Sequence, residues 1–249
     1  MRLLFWNTQR LGKGSPELKY IYTEGVLAEG FSNLGVDIAV LCEVTSGLTI
    51  GPSALDKQVV VAKRTRKRTQ AQLGYAGLAS DLTQIQMTPA PIRNYSIATS
   101  TGWLLKGGTK FDNQSKRRVA YLGQDRGVGP HLFMYHANAS GKAAALTSWV
   151  AKSCNEETAG RFLLVGDFNC SPIQLEATMR INNITGPGIF WDKNLKTHNA
   201  KHHDMVNVYD YAICSGFYCE VKAIDTRGFI PREVMSDHLP ILVGIGETL

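Results

Sequence analysis

The strongest constraint on the fold is a short apolar run that ends abruptly in polar residues. Residues 162–165 read Phe-Leu-Leu-Val, and Gly166-Asp167-Phe168-Asn169 follow directly. A run of this length that stops at a glycine is typical of a buried strand that ends in a turn. Because residues two apart on an extended segment project to the same side, we expect Asp167 and Asn169 to face one site.

Two other apolar segments carry polar side chains at one end. The segment 36–41 leads to Glu43. Near the C-terminus, Asp237-His238 opens the apolar segment 239–245. Three strand ends that present carboxylate, amide or imidazole groups in one chain are hard to attribute to chance, and they predict a shared polar site.

The order of the predicted elements favours one α/β domain over residues 1–249. We find no linker and no internal repeat, and closely spaced strands in the middle of the chain predict antiparallel pairing. The pattern indicates two sheets packed face to face with helices outside. Helices are predicted over 16–33 and 142–153 and from 171 onward, and strands over 2–6, 36–41, 58–61, 73–79, 82–87, 95–98, 102–106, 118–122, 131–136, 162–165, 208–214, 218–223 and 239–245.

Composition narrows the class of protein. The hydrophobic fraction of 44% supports a large core, and a formal charge of +6 favours an anionic partner. No apolar run approaches the roughly 18 residues of a membrane-spanning helix. Five scattered cysteines form no metal-binding spacing and, being odd in number, argue against a disulfide framework. The N-terminus lacks the features of a signal peptide, so we expect a cytoplasmic protein, with signal-less export as a toxin left open.

In their order along the chain, the polar residues resemble those of the endonuclease/exonuclease/phosphatase superfamily, which includes deoxyribonuclease I and the apurinic (AP) endonucleases. The resemblance implies a DNase I-like four-layer α/β sandwich of two mixed sheets with helices outside. It also implies a divalent metal, usually Mg²⁺ with Mn²⁺ as a substitute, and hydrolysis of a phosphoester. It spans nearly the whole chain and is carried by Asn7, Glu43, His136, Asp167, Asn169, Asp210, Asp237 and His238.

A shorter stretch resembles a second group of proteins. His136-Ala137-Asn138-Ala139 is similar to the corresponding segment of the cytolethal distending toxin nuclease subunits. This likeness adds Asn138 to the candidate substrate-binding residues.

Three of these residues are candidates to bind the metal that hydrolysis of a phosphodiester is expected to need. The reaction needs charge neutralised on the phosphate oxygens and an oriented water. Glu43 is a hard carboxylate that Mg²⁺ accepts, and Asp237 is expected to support the metal or its waters. The amide of Asn7 is expected to contact the metal cluster or the phosphate. As alternatives, Glu43 is a surface carboxylate and Asn7 a turn residue at a strand end.

The water and the transition state require further groups. Asp167 is expected to orient or deprotonate the attacking water, and Asn169 to hold that water or a phosphate oxygen, with local turn bonding as the alternative. His238 is expected either to stabilise the transition state, if protonated, or to accept a proton from water, if neutral. The family resemblance assigns Asp210 as the carboxylate that fixes its ring.

His136 resembles the second catalytic histidine of deoxyribonuclease I, but its partner differs. The pancreatic enzyme supplies a glutamate from an earlier strand, whereas this chain has no glutamate between Val44 and Asn155. Tyr75 instead resembles the tyrosine of the apurinic endonucleases and is a candidate to contact phosphate or His136. A half-buried strand tyrosine is the alternative, and the acid for the leaving group stays open.

Several basic and metal-like groups complete the candidates. Arg117 and Arg118 match the position of a phosphate-contacting arginine, with Arg118 favoured. The basic run at 63–68 predicts nonspecific attraction to a nucleic-acid backbone or, alternatively, a solvated loop. His198, His202, His203 and Asp204 are residue types that bind metals. The segment that contains them is expected to be a loop and not a helix, so a second metal site there is disfavoured.

These residues together predict a monomeric, metal-dependent endonuclease that acts on DNA. A phospholipid or phosphoinositide phosphodiesterase or phosphatase would share the catalytic residues, but it should carry an apolar membrane-insertion hairpin, which the sequence lacks. A lesion-specific AP endonuclease and a nonenzymatic binding module are further alternatives. The binding module is disfavoured because the full set of catalytic residues is present.

Overall fold

The structure is a computed structural model that describes residues 1–9, 15, 17–44, 58–64, 69–74, 94–99, 108–110, 119–125, 128–199 and 205–246. Its elements follow in chain order as β1 (Arg2–Asn7), α1 (Glu17–Ser32), β2 (Ile38–Val44), β3 (Gln58–Arg64), β4 (Thr69–Gly74), β5 (Asn94–Thr99), β6 (Gly108–Lys110), β7 (Val119–Gln124), β8 (His131–Met134), α2 (Ala143–Glu157), β9 (Phe162–Asp167), α3 (Pro172–Ile181), β10 (Gly188–Phe190), β11 (Asp210–Ser215), β12 (Cys219–Ala223) and β13 (Ile241–Ile245).

The strands form two mixed sheets. In the described residues, one sheet has seven strands in the order β12-β13-β1-β2-β5-β3-β4, and the other has six in the order β10-β11-β9-β8-β7-β6. β1 pairs with β2 in parallel and β8 with β9 in parallel, whereas the other pairs are antiparallel. Helix α1 packs on the outer face of the first sheet, and α2 and α3 pack on the second. The predicted four-layer α/β sandwich is therefore confirmed.

The continuous apolar strands are explained by burial on both faces. In β2, Ile38 and Val40 face the core between the sheets, whereas Ala39 and Leu41 face the layer that contains α1. In β9, Leu163 likewise belongs to the inter-sheet core. Such strands need apolar residues at every position and therefore show no alternation.

Most predicted elements match observed ones within a few residues, and the differences have local causes. Of the strand predicted over 73–79, residues 73 and 74 lie in β4, which starts earlier, at Thr69, and forms a hairpin with β3, whereas 75–79 lie outside the described residues. This hairpin strand is rich in polar residues, so the apolar pattern did not mark it. The three-residue strands β6 and β10 were not predicted, because they are too short to show a period. The strands predicted over 82–87 and 102–106 lie outside the described residues.

The capping of α3 follows from its sequence. Pro172 begins the helix, and the Ser171 hydroxyl accepts a hydrogen bond from the backbone N–H of Gln174 at 3.2 Å. The Gln174 side chain accepts one in return from the Ser171 N–H at 3.1 Å, which completes a capping box. No helix in the described part of the chain is long and apolar enough to cross a membrane.

Glycine is required where β9 meets the chain that continues β8. A Cβ atom at Gly166 would collide with the carbonyl oxygen of Tyr135. Parallel bonding persists beyond β8 here, since the Tyr135 N–H donates to the Val165 carbonyl at 3.0 Å and the Ala137 N–H to the Asp167 carbonyl at 2.8 Å. The close approach holds His136, between Tyr135 and Ala137, next to the end of β9.

Candidate functional site

The predicted polar residues meet at one end of the sandwich because several strands end there. Parallel strands place their carboxyl ends at the same edge, which groups the end of β1 with that of β2 and the end of β9 with the residues after β8. The antiparallel register pairs Asp210 at the start of β11 with Asp167 at the end of β9. The residues brought together in this way are Asn7, Glu43, His136, Asp167, Asn169, Asp210, Asp237 and His238.

Asp167 lies at the centre of the site. Its Oδ2 accepts a hydrogen bond from Asn7 Nδ2 at 3.0 Å and lies 3.2 Å from His136 Nε2. Its Oδ1 accepts a hydrogen bond from the Asn169 N–H at 3.0 Å. Burial raises the pKa of Asp167, but the positive charge of His238 and the hydrogen bond from His136 outweigh burial and bring the pKa well below its usual value. Asp167 is therefore an ionised, buried carboxylate at neutral pH.

Asn169 supports this carboxylate mainly through its backbone. Its φ of +49° puts it in the left-handed region, where asparagine is tolerated better than most residues. The side-chain nitrogen Nδ2 donates to the Ala137 carbonyl at 2.9 Å. The local bonding that we kept as an alternative thus occurs: the Asn169 backbone binds Asp167, and its carboxamide binds the Ala137 carbonyl.

His238 and Asp210 form a buried pair. His238 Nδ1 lies 2.7 Å from Asp210 Oδ2, and the opposite nitrogen, Nε2, lies 3.7 Å from Asp167 Oδ2. The backbone of His238 is also held, because its carbonyl accepts a hydrogen bond from the Trp6 indole at 2.9 Å and its N–H donates to the Ser236 hydroxyl at 3.2 Å. The imidazole therefore has one position, with Nε2 directed at the centre of the site.

The proton of this pair resides on the imidazole. Burial lowers the pKa of His238, but the negative charges of Asp210 and Asp167 raise it more, to about 10. Burial raises the pKa of Asp210 to about 6, against the opposing effect of the His238 charge. At neutral pH the pair is an imidazolium beside a carboxylate.

This charge state predicts a pH dependence of stability. The folded-state pKa of His238 lies above its ordinary value of 6.5, so its stabilising contribution is complete below about pH 6.5 and is lost as the pH rises toward 10. In chelator, the Tm of the wild-type protein should therefore fall more steeply between pH 6.5 and 10 than that of His238→Gln, as measured by scanning calorimetry. Parallel Tm curves for the two proteins would contradict the ionised pair.

Glu43 has a backbone conformation that is rare for its residue type. Its φ is +62°, and the pairing of β2 with β5 shifts register between Cys42 and Val44. Bulges and positive φ values at non-glycine residues cluster at functional sites, where they redirect a side chain. Here the bulge turns Glu43 toward the site, with its Oε1 3.6 Å from His136 Nε2.

The partner of His136 is one that the sequence did not suggest. Its Nδ1 lies 3.4 Å from the thiol of Cys42, while its Nε2 faces Asp167 and Glu43. Cys42 occupies the strand position before Glu43, so the same bulge sets both contacts. No motif marks a cysteine as a histidine partner. Tyr75, the predicted partner, lies outside the described residues.

Buried carboxylate oxygens of Asp210 and Asp237 fit a divalent metal. Within the described ranges, Oδ1 of Asp237 and Oδ1 of Asp210 are buried without a hydrogen bond. Among the residues that the structure describes, two groups have ligand atoms within 4.8 Å of one another, namely His198, Asp237 and His238, and Asp167, Asp210 and His238.

Lys19 from α1 adds a cation that sequence reasoning missed. Burial lowers its pKa, and the charges of Asp237 and Glu43 oppose that effect. Its ammonium group donates to the Gln9 carbonyl at 2.8 Å. Both candidate metal ligands thus already act on a neighbouring positive charge. A lysine within a helix carries no signal that distinguishes it in the sequence.

The structure describes only some of the other predicted residues. Asn138 is half-buried, two residues beyond His136. Arg117, Arg118 and residues 65–68 of the basic run lie outside the described residues. The same holds for His202, His203 and Asp204, whereas their neighbour His198 lies against His238, with ring centroids 4.5 Å apart.

Comparisons with known proteins concern the fold. No family model matches the sequence, and no curated protein matches it either. Among solved structures, an endonuclease/exonuclease/phosphatase family protein from Bacteroides thetaiotaomicron is 13% identical with a TM-score of 0.64, covering 100% of this chain and 98% of that one. The Haemophilus ducreyi cytolethal distending toxin is 17% identical with a TM-score of 0.61, covering 99% of this chain and 98% of that one.

A third solved structure is similar to this chain to about the same degree. An AP endonuclease from Archaeoglobus fulgidus is 14% identical with a TM-score of 0.58, covering 99% of this chain and 100% of that one. All three matches run nearly end to end, and the architecture agrees with the sandwich described above. The chain has the DNase I-like fold of the endonuclease/exonuclease/phosphatase proteins.

Proposed function

We propose that the protein is a metal-dependent phosphodiesterase that acts as a DNA endonuclease. The observation that carries the proposal is the arrangement around Asp167. Its ionised carboxylate contacts Asn7 and His136 and lies beside the imidazolium of His238, which Asp210 holds. An acceptor for water and a buried cation side by side are what attack on a phosphodiester requires.

Glu43 and Asp237 are the proposed metal ligands, together with the amide oxygen of Asn7. Mg²⁺ prefers such hard oxygen ligands and keeps waters in its remaining positions. When bound, the ion would neutralise charge on a phosphate oxygen.

Three residues of the chain would then orient the water, stabilise the transition state and protonate the leaving group. Asp167 would orient the attacking water by accepting its hydrogen bond, a role that suits a carboxylate whose pKa lies far below neutral better than strong proton abstraction does. His238, protonated and fixed by Asp210, would stabilise negative charge on the phosphoryl oxygens. His136, with Nε2 toward the same carboxylate, is the candidate to protonate the leaving oxygen, and Tyr75 remains an alternative.

The proposed substrate is duplex DNA, and the proposed acting form is a monomer. The net charge of +6 favours a polyanion, and the structurally similar AP endonuclease is a nuclease by its description. Arg117, Arg118 and Asn138 would contact backbone phosphates. Binding through phosphates gives weak sequence preferences that follow groove width and deformability.

A parallel substrate assay tests this proposal. With Mg²⁺, end-labelled intact duplex should be nicked to 5′-phosphate and 3′-hydroxyl ends, and chelator should stop the reaction. The comparison substrates are an abasic-site duplex, RNA, a sugar phosphate and sphingomyelin vesicles. Cleavage confined to the abasic duplex would make the protein a lesion-specific enzyme. Phosphocholine release or phosphate release without nicking would refute the nuclease assignment.

The basic run should affect binding more than chemistry. Replacing Lys63, Arg64, Arg66, Lys67 and Arg68 by glutamine should raise the KM for duplex DNA and flatten its salt dependence, because fewer counterions are released on binding. The rate on a small phosphodiester should not change. An unaltered salt slope would show that the run is only solvated.

A further inference from the structure

A third histidine is held against the candidate site. His198 forms isolated β-bridges with Asn207 and with His238. Its N–H donates to the Asn207 carbonyl at 3.0 Å, and its own carbonyl accepts from Val206 at 3.0 Å. Its ring stacks on Tyr209 at 4.8 Å between centroids. These contacts fix a ring that the roles proposed above do not use.

Three potential ligand atoms converge where this ring meets the site. His198 Nε2 lies 4.0 Å from Asp237 Oδ2, and His238 Nε2 lies 3.8 Å from Asp237 Oδ1. A tetrahedral ion with bonds of about 2.1 Å needs ligand atoms about 3.4 Å apart. All three ligand atoms lie within 4.8 Å of one another, so a rotation of the half-buried Asp237 side chain and a small shift of the two rings toward each other would bring them to that spacing.

The surroundings of His238 suit a metal ligand. A ligating histidine characteristically donates its other ring nitrogen to a carboxylate, which fixes the ring and raises its basicity. Asp210 provides that contact at Nδ1, and Nε2 is thereby left to face Asp237. The carboxylates of Asp167, Asp210 and Asp237 all lie within 4 Å of this ring, and their negative charges favour a divalent cation there.

We propose that His198, Asp237 and His238 form a second divalent-metal site that takes Zn²⁺. Two imidazole nitrogens and one carboxylate oxygen form a donor set that suits zinc better than magnesium. The site is distinct from the oxygen-rich one at Glu43, although Asp237 would be common to both. Zinc bound at Nε2 would block the nitrogen that faces the centre of the candidate site, so it would inhibit hydrolysis supported by Mg²⁺. This consequence alone rests on the proposed function.

Direct titration tests the site without any assay of activity. Chelator-treated protein is titrated with Zn²⁺ in competition with a chromophoric chelator. His198→Phe retains a ring to stack on Tyr209 and removes one ligand, so the dissociation constant should rise at least about 100-fold, the upper end of the range for losing a supporting contact alone. The matched control is His131→Phe, because His131 is likewise a half-buried histidine in contact with a tyrosine, Tyr121, but lies at the other end of its strand.

Three outcomes would overturn the site. The first is unchanged zinc affinity in a folded His198→Phe protein, with folding checked by its Tm. The second is loss of zinc binding in a His202→Gln/His203→Gln double variant but not in His198→Phe. The third is a thiolate charge-transfer band on binding Co²⁺, which would place the ion on cysteine.

The activity readout separates this site from the proposed function. Micromolar Zn²⁺ should inhibit Mg²⁺-supported nicking in the wild-type protein and inhibit His198→Phe much less. Equal inhibition of both proteins would refute the inhibitory role. Zinc binding that depends on His198 in a protein that hydrolyses nothing would support the site and refute the proposed function.

Discussion

Replacing Asp167 or His238 by alanine should lower turnover at least about 100-fold in each case, the usual scale for groups that orient water or transfer protons. The two side chains act on one another, since His238 Nε2 lies 3.7 Å from Asp167 Oδ2 and its charge helps to keep that carboxylate ionised. The double variant should therefore be much less than multiplicatively slower than the single variants. Single-turnover rates of plasmid DNA cleavage by the two single variants and the double variant test this prediction.

Asp37 supplies the matched control for this pair. Its carboxylate also accepts a backbone hydrogen bond, from Arg2 at 2.9 Å, but it precedes β2 and lies at the opposite end of that strand from Glu43. Asp37→Ala should lower stability and leave turnover nearly unchanged. Multiplicative losses for Asp167→Ala and His238→Ala would show that one of the two residues has only a structural role.

The second large effect is expected from Glu43→Gln. Glutamine has the same shape and the same backbone preferences, so the bulge with its φ of +62° should survive. What is lost is the charge that would bind the metal, and we expect turnover to fall at least about 100-fold, as loss of charge stabilisation worth several kcal/mol implies. Chelation should reproduce this loss in the wild-type protein.

Two measurements distinguish loss of metal binding from loss of folding stability in Glu43→Gln. Calorimetric titration with Mg²⁺ should show weaker binding to Glu43→Gln, while its Tm in chelator should not fall. Glu220→Gln is the control, because Glu220 is half-buried and pairs with Lys222 on the edge strand β12. Full activity of the wild-type protein in chelator, with no metal carried over, would refute the metal-dependent mechanism.

The sequence predicts those residues of the candidate site that follow an apolar run, because such a run marks a strand buried on both faces. Such runs locate Glu43 and Asp167 directly, because polar residues can follow them only where the strand leaves the core. The contact between Asn7 and Asp167 joins residues 160 apart and depends on how the two sheets pack. The resemblance to a known family, rather than any local pattern, brought these residues together before the structure did.

Other parts of the site could not be predicted, for physical reasons. The contact of Cys42 with His136 depends on a bulge, which has no sequence signature here. The sequence places His198 in a predicted loop with His202, His203 and Asp204, and no local pattern there connects it to His238. In the structure, His198 instead pairs through its backbone with His238, 40 residues further along the chain.

The hydrogen bonds between Asn7 and Asp167 and between Asp210 and His238 have an evolutionary consequence. The first joins β1 of one sheet to β9 of the other, and the second joins β11 to His238, which lies just before β13 of the opposite sheet. Removing one member of a buried pair leaves the other uncompensated and costs several kcal/mol. A descendant that gave up the reaction could not drift freely at these positions. We expect inactive homologues to replace the partners together, by apolar side chains of matching volume, rather than one at a time.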